Sequence, residues 1–184
     1  MAIQAPLSWL KDFVAINITP DQLAERLTTA GLEVETIEKI GDNWGEYCVV
    51  GQIRKVRKHP NADALYLVDV EFGADKPITI VTGAPNIREM EENIPQPAPK
   101  VALALSGAML IDARQKDSPL KKLKTAKIRG IESEGMLCSE LELGLSENHE
   151  GILILPEDAP VGTLLQEYLG DVVLHFDIKG GFSH

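Results

Sequence analysis

Between Cys48 and Ser139 the chain breaks into short strand-like runs at 48–56, 64–73, 77–83, 100–106, 120–129 and 135–139. This spacing constrains the fold more than any other feature. Turn formers stand between the runs, in the segments HPNAD (59–63), GADKP (73–77), GAPN (83–86), SGAM (106–109) and RGIESEG (129–135). Glycine, proline, asparagine and aspartate stop a strand and reverse it, so several short strands at this spacing predict an all-β barrel or sandwich. The segment EMEENIPQPAP (89–99) is acidic and proline-rich and cannot be a central strand. Residues 119–127 carry too much charge for a core and suit a strand with one wet face.

The flanks read differently. Thr19-Pro20-Asp21-Gln22 offers an N-cap threonine, a proline at the first helical position, an early acid and a glutamine placed to close a capping box. Leu23, Ala24, Leu27 and Ala30 then recur on one helical face, and Gly31 stops the helix. Trp9 and Phe13, four residues apart, read as packing residues of a shorter helix before it. Leu32 to Ile40 alternates, slips once, and reads as a half-exposed strand. After Leu155 come a loop at 156–162, a short helix at 163–169 ended by Gly170, and a strand from Val172 to Ile178. This tail has too little apolar area to fold alone, so it is expected to pair with the N-terminal segment. The expected class is α+β, with a β-barrel inserted into a small α/β domain. Residues 1–40 and 153–178 form the two halves of that domain, 41–152 the inserted module, and 179–184 a tail.

At 184 residues, with 44% hydrophobic and 25% charged residues, the composition is that of an ordinary globular protein with a sizeable core. No apolar run approaches the roughly 20 residues of a membrane span. The start, MAIQAPLSWLKDF, lacks the basic region of a secretory signal. Cys48 and Cys138 are distant and in no CxxC pair, which argues against a disulfide scaffold or zinc site and for buried thiols in a reducing cytoplasm.

The net charge is −10, but it is unevenly spread. GQIRKVRK (51–58) holds four basic groups and no acid, and residues 114–129 hold seven basic groups and one acid. Residues 131–155 carry only acids among their charged groups. If the two basic stretches lie on neighbouring strands they form a positive stripe that attracts a phosphate backbone, within a surface that repels it elsewhere. Solvated strand faces explain the same charges without a ligand.

Catalytic signatures are missing. The chain has no GxxxxGK[ST] loop, GxSxG elbow or HExxH helix. His59 and Asp63 flank a turn rather than sharing a helix face, which disfavours a metal pair, and Ser139 has no histidine close in sequence. The carboxylates at 132, 134, 140 and 142 are spaced two apart, as on one wet strand face. Between Cys48 and Leu155 the only aromatics are Tyr66 and Phe72, both in a strand-like run. Single-strand recognition needs stacking platforms, so this composition better suits backbone and shape recognition of a folded RNA.

The motifs occur in a telling order: VVGQIRKVRKHPNADALYLVDVEFG (49–73), IVTGAPNI (80–87), VALALSGA (101–108) and KTAKIRGIESEGMLCSELELGL (124–145). Together they resemble the tRNA-binding OB-fold module found in phenylalanyl-tRNA synthetase beta subunits, bacterial methionyl-tRNA synthetase C-terminal domains and free-standing tRNA-binding proteins. The flanks LSWLKDFV (7–14), QLAERLTTAGLEVE (22–35) and SENHEGILILPEDAPVGTLLQEYLGDVVLHFDI (146–178) resemble the start of the bacterial beta subunit. That family usually continues through a Pro-Asn-Arg sequence, whereas here the chain reads KGGFSH after Ile178. The resemblance implies an N-terminal portion of a subunit several times longer. The parent enzyme charges tRNA with phenylalanine, using ATP and magnesium, as a tetramer of two alpha and two beta chains. Catalysis belongs to the alpha subunit and editing to a later part of beta, so no catalytic residue, metal site or cofactor is expected here.

The candidate RNA-binding residues are Lys55, Lys58, Lys127 and Arg129 as phosphate contacts, with Asn61, Asp63 and Asn86 shaping the loops that present them. Ser133 and Ser139 are candidate donors to phosphate or ribose, while Met136, Leu137 and Cys138 read as core. The alternative is a docking module for synthetase assembly that touches no RNA, and the net charge favours it. An enzyme with its own unrecognised site ranks below both.

Overall fold

The computed structural model describes residues 2–115, 117 and 119–178, so the tail expected at 179–184 lies outside the described residues. In chain order the first elements are β1 (Ala2–Pro6), α1 (Leu7–Lys11), α2 (Pro20–Thr29) and β2 (Val34–Ile40). A 3-10 turn at Gly45–Tyr47 leads to β3 (Cys48–Lys58), β4 (Tyr66–Glu71), β5 (Ile78–Thr82), α3 (Pro85–Arg88) and β6 (Lys100–Leu105). Then follow β7 (Met109–Ile111), β8 (Leu120–Lys122), β9 (Ala126–Ile128), β10 (Ile131–Ser133), β11 (Gly135–Leu137) and α4 (Glu140–Leu143). The chain ends with β12 (Ile154–Leu155), α5 (Leu165–Leu169) and β13 (Asp171–Asp177). The structure is mostly β-sheet with few helices, an α+β protein. No helix among the described residues is long and apolar enough to cross a membrane.

The chain forms two compact units, one of Met1–Ile40 with Leu169–His184 and the other of Gly41–Tyr168. The second unit so divided runs on to Tyr168. Residues 153–168 stay with the second unit because β12 pairs with β6 and the Thr163 carbonyl accepts from the Val50 amide at 2.9 Å.

In the first unit β13 lies between β1 and β2, antiparallel to both. The register shifts between His175 and Phe176, which pair with Thr36 and Val34, so Glu35 is the extra residue of a bulge. That bulge is the slip in the alternation of 32–40. The Thr19 hydroxyl accepts from the Gln22 amide and the Gln22 side chain accepts from the Thr19 amide, closing the capping box of α2. Trp9 and Phe13 do not enter a core. They are 54% and 74% exposed and pack edge-to-face on each other, with ring centroids 5.3 Å apart.

The second unit is organised around the antiparallel strand order β11-β6-β3-β4-β5. Alternation on β3 sends Val49 and Ile53 inward. A bulge at Arg54 resets the phase so that Val56 also points in. Tyr66, Val68 and Val70 of β4, Ile80 of β5, Val101 and Leu103 of β6, and Leu137 of β11 share this core with Ile87, Met90 and Ile152. The ends of the path meet where the Glu134 amide donates to the Thr79 carbonyl at 3.2 Å and the Val81 amide donates to the Ser133 hydroxyl at 3.0 Å. Gly135 lets β11 lie close against β6, since a Cβ there would collide with the Ala104 carbonyl.

The Trp44 ring is fully buried and its indole N–H donates to the Leu143 carbonyl. Cys48 and Cys138 are buried free thiols in this unit. Burial pushes the Cys48 thiol up to about 12. It also raises Cys138 well above the usual thiol value, helped by the nearby Cys48 and Glu142.

Candidate nucleic-acid interface

β3 carries the first basic stretch beside the acids of β4, and the two largely cancel. Arg54 pairs with Glu71, Arg57 with Asp69 at 2.6 Å, and Lys58 stands 4.0 Å from Asp63. Burial alone would raise the Asp69 carboxyl. Hydrogen bonds from Arg57 and Thr79, with the charges of Arg57 and Lys55, outweigh it and hold Asp69 below the usual carboxylate range. Lys55 and Lys58 are exposed.

The second basic stretch folds into two hairpins rather than the single strand expected at 120–129. β7 pairs with β8, and β9 with β10. They separate at Leu123, whose carbonyl accepts from the Gly107 amide at 2.8 Å and whose amide donates to the Ala108 carbonyl at 2.7 Å. Lys121 pairs with Asp112 at 3.4 Å. Among the described residues Lys122, Lys124, Lys127 and Arg129 have no acid within ion-pair distance, although Glu132 stands opposite Lys127 in the ladder. These four side chains are exposed.

The tip of the β9–β10 hairpin is strained. Arg129 has φ +49° and Gly130 φ +92°. Two successive left-handed residues suit the type I′ turn that matches strand twist, but the first is not a glycine. Among non-glycine residues, Arg129 alone in the described chain has positive φ. The HPNAD turn braces it. The Asn61 side-chain amide donates to the Arg129 carbonyl at 3.1 Å, and the Asn61 backbone amide donates to His59 Nδ1 at 3.0 Å. With Nδ1 accepting, the proton of a neutral ring sits on Nε2, which donates to the Ile128 carbonyl at 3.1 Å. His59 is only 3% exposed. Lys58, Asn61, Lys127 and Arg129, far apart in sequence, are thereby brought together. Asp63 is fully exposed beside Lys58.

The remaining candidates serve the fold. Ser133 is 4% exposed, and its hydroxyl accepts from Val81 and donates to the Gly135 carbonyl at 2.9 Å. Ser139 is 5% exposed and caps α4, its hydroxyl donating to the Glu142 carboxylate at 2.8 Å. Both hydroxyls are engaged within the fold, and both residues line one open cavity of the second unit. Glu140 and Glu142 lie on this helix, not on a strand face, while Glu132 is on β10. Asn86 clamps Ile152, donating to its carbonyl at 2.9 Å and accepting from its amide at 3.1 Å. Lys122 and Lys124 belong to the basic stretch, but only the hairpin fold separates them from the compensated Lys121.

No group of three or more histidine, cysteine or carboxylate side chains suited to a metal ion is found among the described residues.

The model of the tRNA_bind family, described as "Putative tRNA binding domain", matches residues 48–164. The phenylalanine–tRNA ligase beta subunit of Dehalococcoides mccartyi (strain ATCC BAA-2266) is 47% identical over 176 residues, covering 96% of this chain and 20% of that protein. The beta subunit of Burkholderia lata is 44% identical over 177 residues, covering 96% and 21%. Among solved structures, a MetRS-related protein from Pyrococcus horikoshii aligns with 64% of this chain and 86% of that one, at 26% identity and a TM-score of 0.42. The chain spans about one fifth of the length of the curated relatives it matches.

Proposed function

Because the chain belongs to the tRNA_bind family, we propose that its second unit is an OB-fold module that binds folded tRNA through phosphate and shape contacts. The observation that carries this reading is the set of uncompensated cations Lys122, Lys124, Lys127 and Arg129 on two adjacent hairpins, in a chain whose net charge is −10. Lys55 and Lys58 extend the surface, and Asn61 holds the hairpin tip that presents Arg129. Asp63 bounds the patch beside Lys58, while Asn86, Ser133 and Ser139 support the loops and strands from within.

In this reading the chain is the N-terminal part of a phenylalanine–tRNA ligase beta subunit. The second unit is inserted between the two halves of the first. The parent enzyme works in the cytoplasm with an alpha subunit, ATP and magnesium, and none of that chemistry is assigned to these residues. A gel-shift titration of the protein with unfractionated tRNA at low salt tests the reading. A shift at micromolar protein, lost when all four cations become alanine, supports it, and no shift at about 100 µM overturns it.

A second reading, docking for assembly, draws on the first unit. There Ile3, Trp9, Phe13, Val14 and Leu32 are exposed, and an apolar cavity of about 510 Å³ is lined by Leu10, Ile16, Leu27 and Phe176 among others. Exposed apolar clusters of this kind mark protein contacts. This reading needs no RNA contact and stands as the alternative to the first.

A further inference from the structure

The second unit contains an open cavity of about 460 Å³ that shares only Lys124 with the four phosphate-contacting cations. It lies under the β9–β10 hairpin, with Ile128 in one wall and Val81, Pro85 and Met136 in the others. The size is that of a small-molecule site, for which roughly 300–1,000 Å³ is typical. Arg114, Lys124 and His149 also line it and are solvent-exposed, which places two permanent cations and an imidazole where it meets water.

A single carboxylate lines the cavity, that of Glu142. Its Oε2 accepts from the Ser139 amide at 2.6 Å and the Ser139 hydroxyl at 2.8 Å, which fixes the side chain. Its Oε1 has no hydrogen-bond partner among the described residues. An ionised carboxylate only accepts, so this wall favours a ligand edge that donates. Among the RNA bases guanine presents two adjacent donors, N1–H and N2–H₂. The cavity thus combines apolar walls for a flat ring, an acceptor for a donating edge and cations for a phosphate. His59 ties this cavity to the outer surface, since its bond to the Ile128 carbonyl sets both the wall and the hairpin tip.

We infer that this cavity takes one unstacked guanosine nucleotide of the bound RNA, with its base between the apolar walls, its donor edge on Glu142 and its phosphate on Arg114 and Lys124. The inference rests on the RNA-binding reading and adds base preference to it. Unstacked bases of folded RNAs are the part that proteins read by sequence.

The test is an amide-shift titration of the protein with guanosine, adenosine, cytidine and uridine 5′-monophosphates and with inorganic phosphate. It is run beside tRNA binding by the wild type and by Ala126→Trp, which fills the cavity from its exposed side. The guanosine monophosphate is expected to shift the amides of Gly83, Met136 and Gly151, with about fivefold or greater preference over the other nucleotides. Ala126→Trp should abolish these shifts and weaken tRNA binding, lowering the salt slope by no more than about 0.9, the share of the one phosphate held in the cavity. Shifts equal to those from inorganic phosphate, equal shifts from all four nucleotides, or none at about 10 mM overturn the inference. Wild-type tRNA binding without nucleotide shifts overturns the cavity assignment alone. Guanosine monophosphate binding without tRNA binding overturns the RNA-binding reading and, with it, the RNA origin of the nucleotide.

Discussion

Replacing Arg129 by glycine, and separately by alanine, separates the strain at the hairpin tip from the charge it presents. Arg129 holds φ +49°, which costs an L residue about 1–2 kcal/mol and glycine almost nothing. Arg129→Ala keeps that strain, so its stability should stay near wild type. Arg129→Gly releases it, at about 0.4–1 kcal/mol of added unfolded-chain entropy. The glycine variant should therefore be more stable than the alanine variant by roughly 0.5–1 kcal/mol, or about 1–4 °C in melting temperature for a chain of this size.

Affinity for tRNA should follow charge alone. One lost phosphate contact lowers the slope of log K against log salt by about 0.9, which at ~0.1 M salt is about 1.2 kcal/mol, or roughly eightfold in affinity. Both variants should show this loss equally. Thermal melting and filter binding across a salt series read the two quantities independently. A glycine variant that binds like wild type would refute the phosphate role of Arg129. A glycine variant no more stable than the alanine variant would refute the strain.

Asn61→Ala removes the brace from the Arg129 carbonyl and no charge, so it should weaken tRNA binding a few-fold while leaving the salt slope in place; an unaltered affinity would show that the brace is irrelevant. Ser133→Ala leaves the Val81 amide and Gly135 carbonyl without their partner and should cost about 2–3 kcal/mol in denaturant unfolding, a neutral result being contrary to its role at the sheet closure. Asp69 sits below the unfolded carboxylate value of about 3.9, so its stabilisation is present above that pH and is lost as pH falls through the folded value. The stability gap between wild type and Asp69→Asn should accordingly shrink below about pH 4, and a gap constant with pH would contradict the assignment. Cys48 and Cys138 should resist a thiol reagent at pH 8 in the native protein and react fully in denaturant; fast native labelling would show that they are not buried as described.

Local signals with a complete mechanism were legible in the sequence. The Thr19 capping box and the slip that becomes the Glu35 bulge both stand in the structure. Ser139-Glu140-Leu141-Glu142 carried an equally good capping-box signal, but its alternating carboxylates also fit a strand, and the helix is four residues long. β1 escaped detection because Ala2-Ile3-Gln4-Ala5-Pro6 has little strand preference. Its strand exists through pairing with β13, whose register sets Ala2 opposite Asp177. The break at Leu123 depends on Gly107 and Ala108, bonds no local pattern encodes.

The candidate site divides along the same line. Charge placed Lys127 and Arg129 correctly in an exposed basic segment. Neither the cancellation of Arg54 and Arg57 by β4 nor the burial of Ser133 and Ser139 follows from composition, because each is fixed by a cross-strand or capping partner. The His59–Ile128 contact, which joins two family-like motifs 69 residues apart, is likewise tertiary.

The salt dependence of tRNA binding tests the central claim most directly. With four uncompensated cations engaged, log K should fall with log salt at a slope of about −3 to −4 between 50 and 200 mM, and the quadruple alanine variant should lose nearly all of it. Binding with a flat salt response, or a slope unchanged in that variant, would contradict the assignment of the two hairpins as the phosphate-contacting surface.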